Sequence, residues 1–463
     1  MSKHLSPLRA CDPAFAGGSF APKKMRHVLE RSALVLCLVG SVLACSVQPG
    51  QAGTPTCPEG SECRDQSPEA VLKADPAGAK ETESAAGTAA VAVLPPGTRP
   101  WRRGGGGSAG PLRIAGPQAM PRLLWRVSLG AAITGTPTLA RLGDGALAAF
   151  VGTHAGRFVG LRVEGPRAGE IAVDLSVPGM IWGSAGLGTT GQLIVGADND
   201  TLYGVDPVAR SIAWSRRIGA CDPPRARGPV GSRCDPDGGP TIGADGDIYI
   251  GADGLYRLGP KGELRWHYPQ ESEFPWHVAA APLVTRSGEV VVGGQDGALI
   301  ALDREGGLRW RHELGPDVDG APVLLGNGLV VAAADGGLVV ALDQGGDLRW
   351  SFTAGGDIRA PLAIAADDTI YAASLDGQLY ALSPGGELRW SFTAGAAIAS
   401  APVVDSVGRI YFGTRGGALI ALDRRGRERW RIELPEDVDS GPAVSESGVL
   451  VVGCDDGVVR AYR

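Results

Sequence analysis

From about residue 121 to the last residue, the chain alternates short apolar runs with Gly- and Asp-rich breaks. Between Ser400 and Trp430 the runs are Ala401-Pro402-Val403-Val404, Arg409 to Gly413, Ala418 to Asp423 and Arg427 to Trp430. Runs of this length, rich in β-branched and aromatic residues, predict strands, here termed A to D. The breaks Asp405 to Gly408, Thr414 to Gly417 and Arg424 to Gly426 supply residues that tolerate the positive φ of tight hairpin turns. The pattern recurs. Leu-Arg-Trp stands at 264–266, 308–310, 348–350 and 388–390, with Glu-Arg-Trp at 428–430, a period of about 40 residues that predicts an array of four-stranded units.

Strand A is marked at Thr136-Pro137, Met180-Ile181, Gly239-Pro240, Ala281-Pro282, Ala321-Pro322, Ala360-Pro361, Ala401-Pro402 and Gly441-Pro442. Strand D is marked by Trp125, Trp214, Trp266, Trp310, Trp350, Trp390 and Trp430, and by Val173 where one tryptophan is missing. Trp125 precedes every A strand, and the chain ends on a C strand, Val458 to Arg463. An orphan outer strand at one end and a blade lacking one at the other close a ring when paired, which removes an exposed sheet edge. The expectation is an all-β, eight-bladed β-propeller over 121–463. Each tryptophan would pack between its own blade and the next.

Composition narrows the setting. The 463 residues include 71 Gly and 34 Pro, with a formal net charge of -6, which suits a soluble β-rich body and excludes a nucleic-acid partner as the reading. Residues 1–45 read as a signal segment: Lys23-Lys24-Met25-Arg26 and Arg31 precede the apolar run Ala33 to Leu43, and Met25 is a candidate start. The run ends in Leu43-Ala44-Cys45, which resembles a bacterial lipobox with Cys45 as the lipid-bearing residue. Residues 46–120, rich in Pro, Gly, Ala, Ser and Glu, read as a disordered tether. In an exported protein, Cys57 with Cys63 and Cys221 with Cys234 are disulfide candidates rather than metal ligands. Cys454, in a B strand, reads as a buried inert thiol.

No nucleophile elbow, phosphate-binding Gly-Lys-Ser/Thr loop, His-Glu-x-x-His helix or Cys-x-x-Cys pair occurs, so no catalytic or metal residue is assigned. Gly-Glu-Leu-Arg-Trp, Ala-Pro-Val-Val, Ile-Tyr-Phe-Gly and Leu-Ile-Ala-Leu-Asp resemble the repeats of the pyrroloquinoline-quinone-type (PQQ-like) propellers over about three quarters of the chain. That family contains quinoprotein dehydrogenases, which carry adjacent cysteines and a calcium site, and non-enzymatic lipoproteins. The sequence has no Cys-Cys dipeptide. A lipobox with eight such blades is more similar to the outer-membrane assembly lipoproteins, although the tether is longer than the resemblance implies.

In a propeller the D-to-A and B-to-C connections share one face, and the A-to-B and C-to-D turns share the other. Sorted this way, the first face collects Asp198, Asp317, Asp319, Asp335, Asp437, Asp439 and Asp455 among others. The second collects Arg167, Arg210, Lys261, Arg304, Arg424, Arg425 and Arg427. Asp-Gly is also what tight turns require. Two neighbouring connections on the first face are long, one with Arg225 and Arg227 between Cys221 and Cys234, the next with Phe274, Trp276 and His277. Exposed aromatics in a loop favour a binding patch.

The leading expectation is a non-enzymatic, lipid-anchored, monomeric scaffold at the bacterial outer membrane, facing the periplasm or the cell surface. Its partners would be envelope or membrane proteins, and its only membrane contact the anchor. The alternatives are an oxidoreductase dependent on PQQ, Ca²⁺ or another metal, and a small-ligand or carbohydrate sensor using the Trp276 patch.

Overall fold

The computed structural model describes residues 112–219, 235–269, 277–285 and 287–463. The chain divides into two compact units, Met1–Ala85 and Ala86–Arg463, and every described residue belongs to the second. The signal segment with Cys45, the tether up to residue 111, and both predicted cysteine pairs lie outside the described residues.

The second unit is an eight-bladed β-propeller. Seven four-stranded antiparallel sheets follow one another along the chain, and the eighth joins Leu123–Ser128 to Val458–Tyr462, Leu450–Val452 and Ala443–Val444. Arg122 and Arg463 exchange backbone hydrogen bonds of 2.8 and 2.9 Å at the seam, so the ring closes by the pairing of ends that the sequence predicts. Blades are numbered 1 to 8 from Thr138, the closing blade being 8.

Each strand alternates its side chains between two neighbours, and both faces of the inner sheets are covered. In blade 7, Ile410 and Phe412 pack toward blade 6 while Tyr411 packs toward blade 8. This is why the inner strands read as continuous apolar runs instead of a strict alternation. Every pair of adjacent blades, including 8 and 1, shares one such apolar cluster.

The Leu-Arg-Trp triplet has a geometric cause. Between strands C and D the register slips by one residue: Ala421 faces Trp430 and Leu422 faces Glu428, which leaves Arg429 as the extra residue of a β-bulge. The same slip occurs in all eight blades. The bulge sends Arg outward and aims Trp across the gap. The indole Nε1 of Trp310, Trp350 and Trp390 donates to the carbonyl of Gln344, Pro384 and Arg424 in the next blade's C-to-D turn. A glycine in that turn lies against the ring. At Gly386, with φ 87°, an added Cβ would come within 2.6 Å of Trp350.

Two expectations change. Strand A of blade 2 is Gly186–Leu187, not Met180-Ile181, because that blade has Ser184-Ala185 where the others carry a residue followed by Pro. Residues 112–120, read as the end of the tether, are packed on blade 7. Leu112 is buried and donates to Val404, Ser406 donates to the carbonyl of Ile114, and the amide of Gly116 reaches Asp405. This strap replaces a missing part. Trp430 has no following C-to-D turn, since the seam interrupts blade 8 there, and its Nε1 donates at 3.5 Å to the carbonyl of Pro117 instead.

Candidate functional site at the axial mouth

The blades open on the axis through the connection ahead of strand A, which is short except before blades 3 and 4. In seven blades its anchor is a β-branched residue, Ile133, Ile181, Val278, Val318, Ile358, Ile398 or Val438, each fully buried, and in blade 3 the position is Pro236. In blades 1, 3, 4, 7 and 8 a glycine at or just past the end of the B strand leaves the space that the next blade's anchor fills, whereas blades 5 and 6 have Ala333 and Ala373 there. At Gly413 a Cβ would come within 2.4 Å of Val438 Cγ1, and at Gly152 within 2.1 Å of Ile181 Cγ2. Burying the anchor fixes its two neighbours at the mouth.

The residue after the anchor faces the axis. Around the ring these residues are Thr134, Trp182, Asp237, Ala279, Asp319, Arg359, Ala399 and Asp439, and all but Asp237 and Arg359 line a cavity of about 210 Å³ with Gly135, Gly183 and Pro322. Small residues follow because the connections touch. A Cβ on Gly183 would sit 2.4 Å from the carbonyl oxygen of Asp237. Hydroxyls join the remaining gaps, Ser400 Oγ donating to the Ser440 carbonyl and Ser440 Oγ to that of Gly135, each at 3.1 Å.

The residue before the anchor forms a wider ring that includes Asp235, His277, Asp317, Asp357 and Asp437. Its carbonyl accepts from the B-to-C loop of its own blade: Asp198 donates to Met180, Gln295 to His277, Asp335 to Asp317 and Asp455 to Asp437. The D-to-A and B-to-C connections therefore share one face, as the propeller topology requires.

Aspartates outnumber basic groups at this mouth. Arg359 is held by Asp335 at 2.8 Å and Asp357 at 3.3 Å, and Arg415 by Asp439 at 3.1 Å. What remains repels. Burial, with Asp439 and Asp437 alongside, pushes the Asp455 carboxyl up to about 6, and burial, with Asp319 and Asp335, pushes Asp317 up. In the sector of blades 2 and 3, Asp198, Asp235 and Asp237 offer carboxylate oxygens within 4.8 Å of one another. Beside them Trp182 donates to Asp198 at 3.0 Å, and the His154 ring lies 4.0 Å from the indole. Burial holds His154 below the ordinary imidazole range, against the pull of Asp198.

The structure places the predicted residues unevenly. His277 belongs to the wider ring, but its side chain is 4% exposed, so it is part of the fold and not of an open patch. Arg225, Arg227, Phe274 and Trp276 lie outside the described residues. Cys454 is buried, its thiol pushed up by burial, as expected for an inert group. The even charge division between faces does not hold. Asp245, Asp343, Asp367 and Asp423 all stand at the opposite end, most of them accepting backbone amides of their own turns. The sequence pattern puts Asp317, Asp319, Asp437 and Asp439 of these connections on one face but does not show their convergence at the axis, although Val-Asp-Gly-Ala-Pro at Val318 to Pro322 and Val-Asp-Ser-Gly-Pro at Val438 to Pro442 carry the shared signature.

The family model described as outer membrane protein assembly factor BamB matches residues 251–397 and 375–463. No curated protein matches the sequence. Among solved structures, BamB from Moraxella catarrhalis is similar over 74% of this chain and 100% of its own, at 19% identity and TM-score 0.58. A europium-containing methanol dehydrogenase is similar over 75% of this chain and 88% of its own, at 12% identity and TM-score 0.60. The computationally designed Ika8 protein is similar over 77% and 99%, at 14% identity and TM-score 0.58. With enzymes, a BamB and a designed ring sharing it, the architecture shows the fold alone. The eight blades and their bulged tryptophan strands make this chain an eight-bladed β-propeller, and its matched repeats are similar to those of the PQQ-like family.

Proposed function

We propose that this protein is a non-enzymatic, lipid-anchored scaffold of the bacterial outer membrane whose axial mouth recognises basic segments of envelope proteins. One observation carries the reading: among the described residues, carboxylates crowd the mouth beyond what Arg359 and Arg415 neutralise, and burial, with Asp439 and Asp437 alongside, pushes the Asp455 carboxyl up to about 6. Such a surface attracts a cationic partner and raises its encounter rate. The match to a family model named for an outer-membrane assembly factor supports the location. The same charge opposes a quinone cofactor that itself carries carboxylates, because Arg359 and Arg415, the arginines described at the mouth, are already held by aspartates, and no step is derived through such a group.

Crosslinking and pull-down from native membranes test the proposal, comparing wild type with an Asp319→Asn, Asp439→Asn, Asp455→Asn variant. Recovery of envelope proteins by wild type and their loss from the variant is expected. Equal recovery by both would remove the mouth from the argument. A metal- or quinone-dependent oxidoreductase is the second reading, favoured by the three converging carboxylates of Asp198, Asp235 and Asp237. Turnover of alcohols or sugars after titration with Ca²⁺ and PQQ would replace the first reading with the second.

A further inference from the structure

At the end of the propeller opposite the mouth, blade 7 departs from its neighbours. In blades 3, 4 and 6 the outward arginine of the bulge meets an acid in or beside the A-to-B turn of its own blade: Arg265 lies 3.9 Å from Asp247, Arg309 3.6 Å from Glu289 and Arg389 3.1 Å from Asp367. In blade 7 the position matching Asp247 and Glu289 is Arg409, and the only acid of that turn, Asp405, is fully buried and already bonded to Arg409, Tyr411 and the amide of Gly116. Among the described residues Arg429 therefore has no ion pair. Arg424 and Arg425, on the adjoining C-to-D turn, have none either, and Arg427 is taken by Asp423 at 2.8 Å. These five arginines enclose a depression of about 440 Å³ closed on one side by Gln118. Five guanidiniums against the carboxylates of Asp405 and Asp423 leave three positive charges (5 − 2), all on exposed side chains.

The same corner is where the chain reaches the propeller. The strap from Leu112 to Pro117 binds blade 7, and its Gln118 lines the depression. The described chain therefore begins at Leu112 on the same blade as this unpaired basic cluster, at the end away from the acidic mouth.

We propose that the arginine depression of blade 7 is a docking surface for an anionic phospholipid bilayer, which seats the propeller with its acidic mouth turned away from the membrane. Guanidiniums suit the acceptor because they donate in planar, paired geometry to phosphate oxygens and desolvate more readily than ammonium groups. The inference rests on the membrane-anchored reading above, but its own test does not use the anchor. The chain from residue 46 onward, so that neither the signal segment nor an acyl chain contributes, is sedimented with vesicles of phosphatidylglycerol or of phosphatidylcholine. Binding to the anionic vesicles alone, weakened by salt, is expected. Arg424→Gln, Arg425→Gln, Arg429→Gln should lower the vesicle partition coefficient roughly fivefold per residue, on the order of a hundredfold in all. Unchanged melting of that variant guards against a folding defect, since all three side chains are exposed.

Equal binding to both vesicle types, or equal binding by wild type and variant, would overturn the proposal. So would saturable capture of inorganic phosphate without vesicle binding, which would make the depression a soluble-anion site. Failure here with successful pull-down through the mouth would leave the scaffold reading standing; vesicle binding with no recovered partner would do the reverse.

Discussion

Trp430 and Trp350 occupy equivalent bulges, but the strap makes them unequal. Trp430 is 3% exposed, its ring centre lies 5.8 Å from that of Tyr411, and it shares a cluster with Leu112, Val444 and Leu450. Trp350 packs against the cluster between blades 5 and 6 and the next blade's turn but stays partly open. A buried Trp removes about 200 Å² from water, on the order of 5 kcal/mol at about 25 cal/mol/Å². Truncation to Ala in a core costs about 3 to 5 kcal/mol. Trp430→Ala should fall near the top of that range and Trp350→Ala near 2 kcal/mol, the difference reflecting the area left exposed. Urea unfolding followed by far-UV circular dichroism measures both, with an unchanged slope as the sign that the variants unfold the same surface. Trp430→Ala should also release the strap, so the amide of Leu112 should exchange faster while those of blade 3 do not. If Trp430→Ala costs no more than Trp350→Ala, or leaves Leu112 protected, the strap does not stand in for the missing turn.

Asp455 gives a pH dependence of definite sign. Its carboxyl titrates at about 6 in the fold against 3.8 in the free side chain, so between these values the folded state binds more protons and stability falls as pH rises. Asp455→Asn should remove that slope and, after allowance for solvent screening at the mouth, stabilise the protein by about 1 kcal/mol at pH 7 in thermal melts. Arg257, buried with Asp247 at 2.8 Å and Asp245 at 2.9 Å, holds blade 3. Arg257→Met should cost about 3 kcal/mol in urea by stranding the Asp247 carboxylate, and Asp247→Asn in that background should recover part of it. Gly386→Ala would place a Cβ at positive φ against Trp350 and should cost about 1 to 3 kcal/mol by the same assay. A loss under 0.5 kcal/mol would mean that the turn can back away from the ring.

The strand pattern was legible because a propeller repeats one local solution. Ala-Pro, Ile-Tyr-Phe-Gly and Leu-Arg-Trp each state a packing rule within a single blade, and eight copies average out exceptions such as Val173. Met180-Ile181 misled because an apolar pair ahead of a B strand looks the same whether it forms strand A or anchors the axial connection. The candidate site was harder to see. Its residues, Trp182, Asp237, Asp319, Arg359 and Asp439, are separated by whole blades along the chain and meet only at the axis. His277 looked like part of an exposed aromatic loop, and only the packing of its connection shows it buried.

By itself the sequence determined the ring: the period fixed the four-stranded unit, the number of A and D strands fixed eight blades, and the unpaired ends fixed how they close. Hydrophobic periodicity and turn chemistry are local, so they survive being read along a line. Tertiary structure decided the rest. It brought the anchors' neighbours together into an acidic mouth, placed the strap where a turn is missing, and left Arg429 without the acid its counterparts have. Charge and contact depend on distance in space, and closure of the ring brings together residues that the sequence keeps hundreds of positions apart.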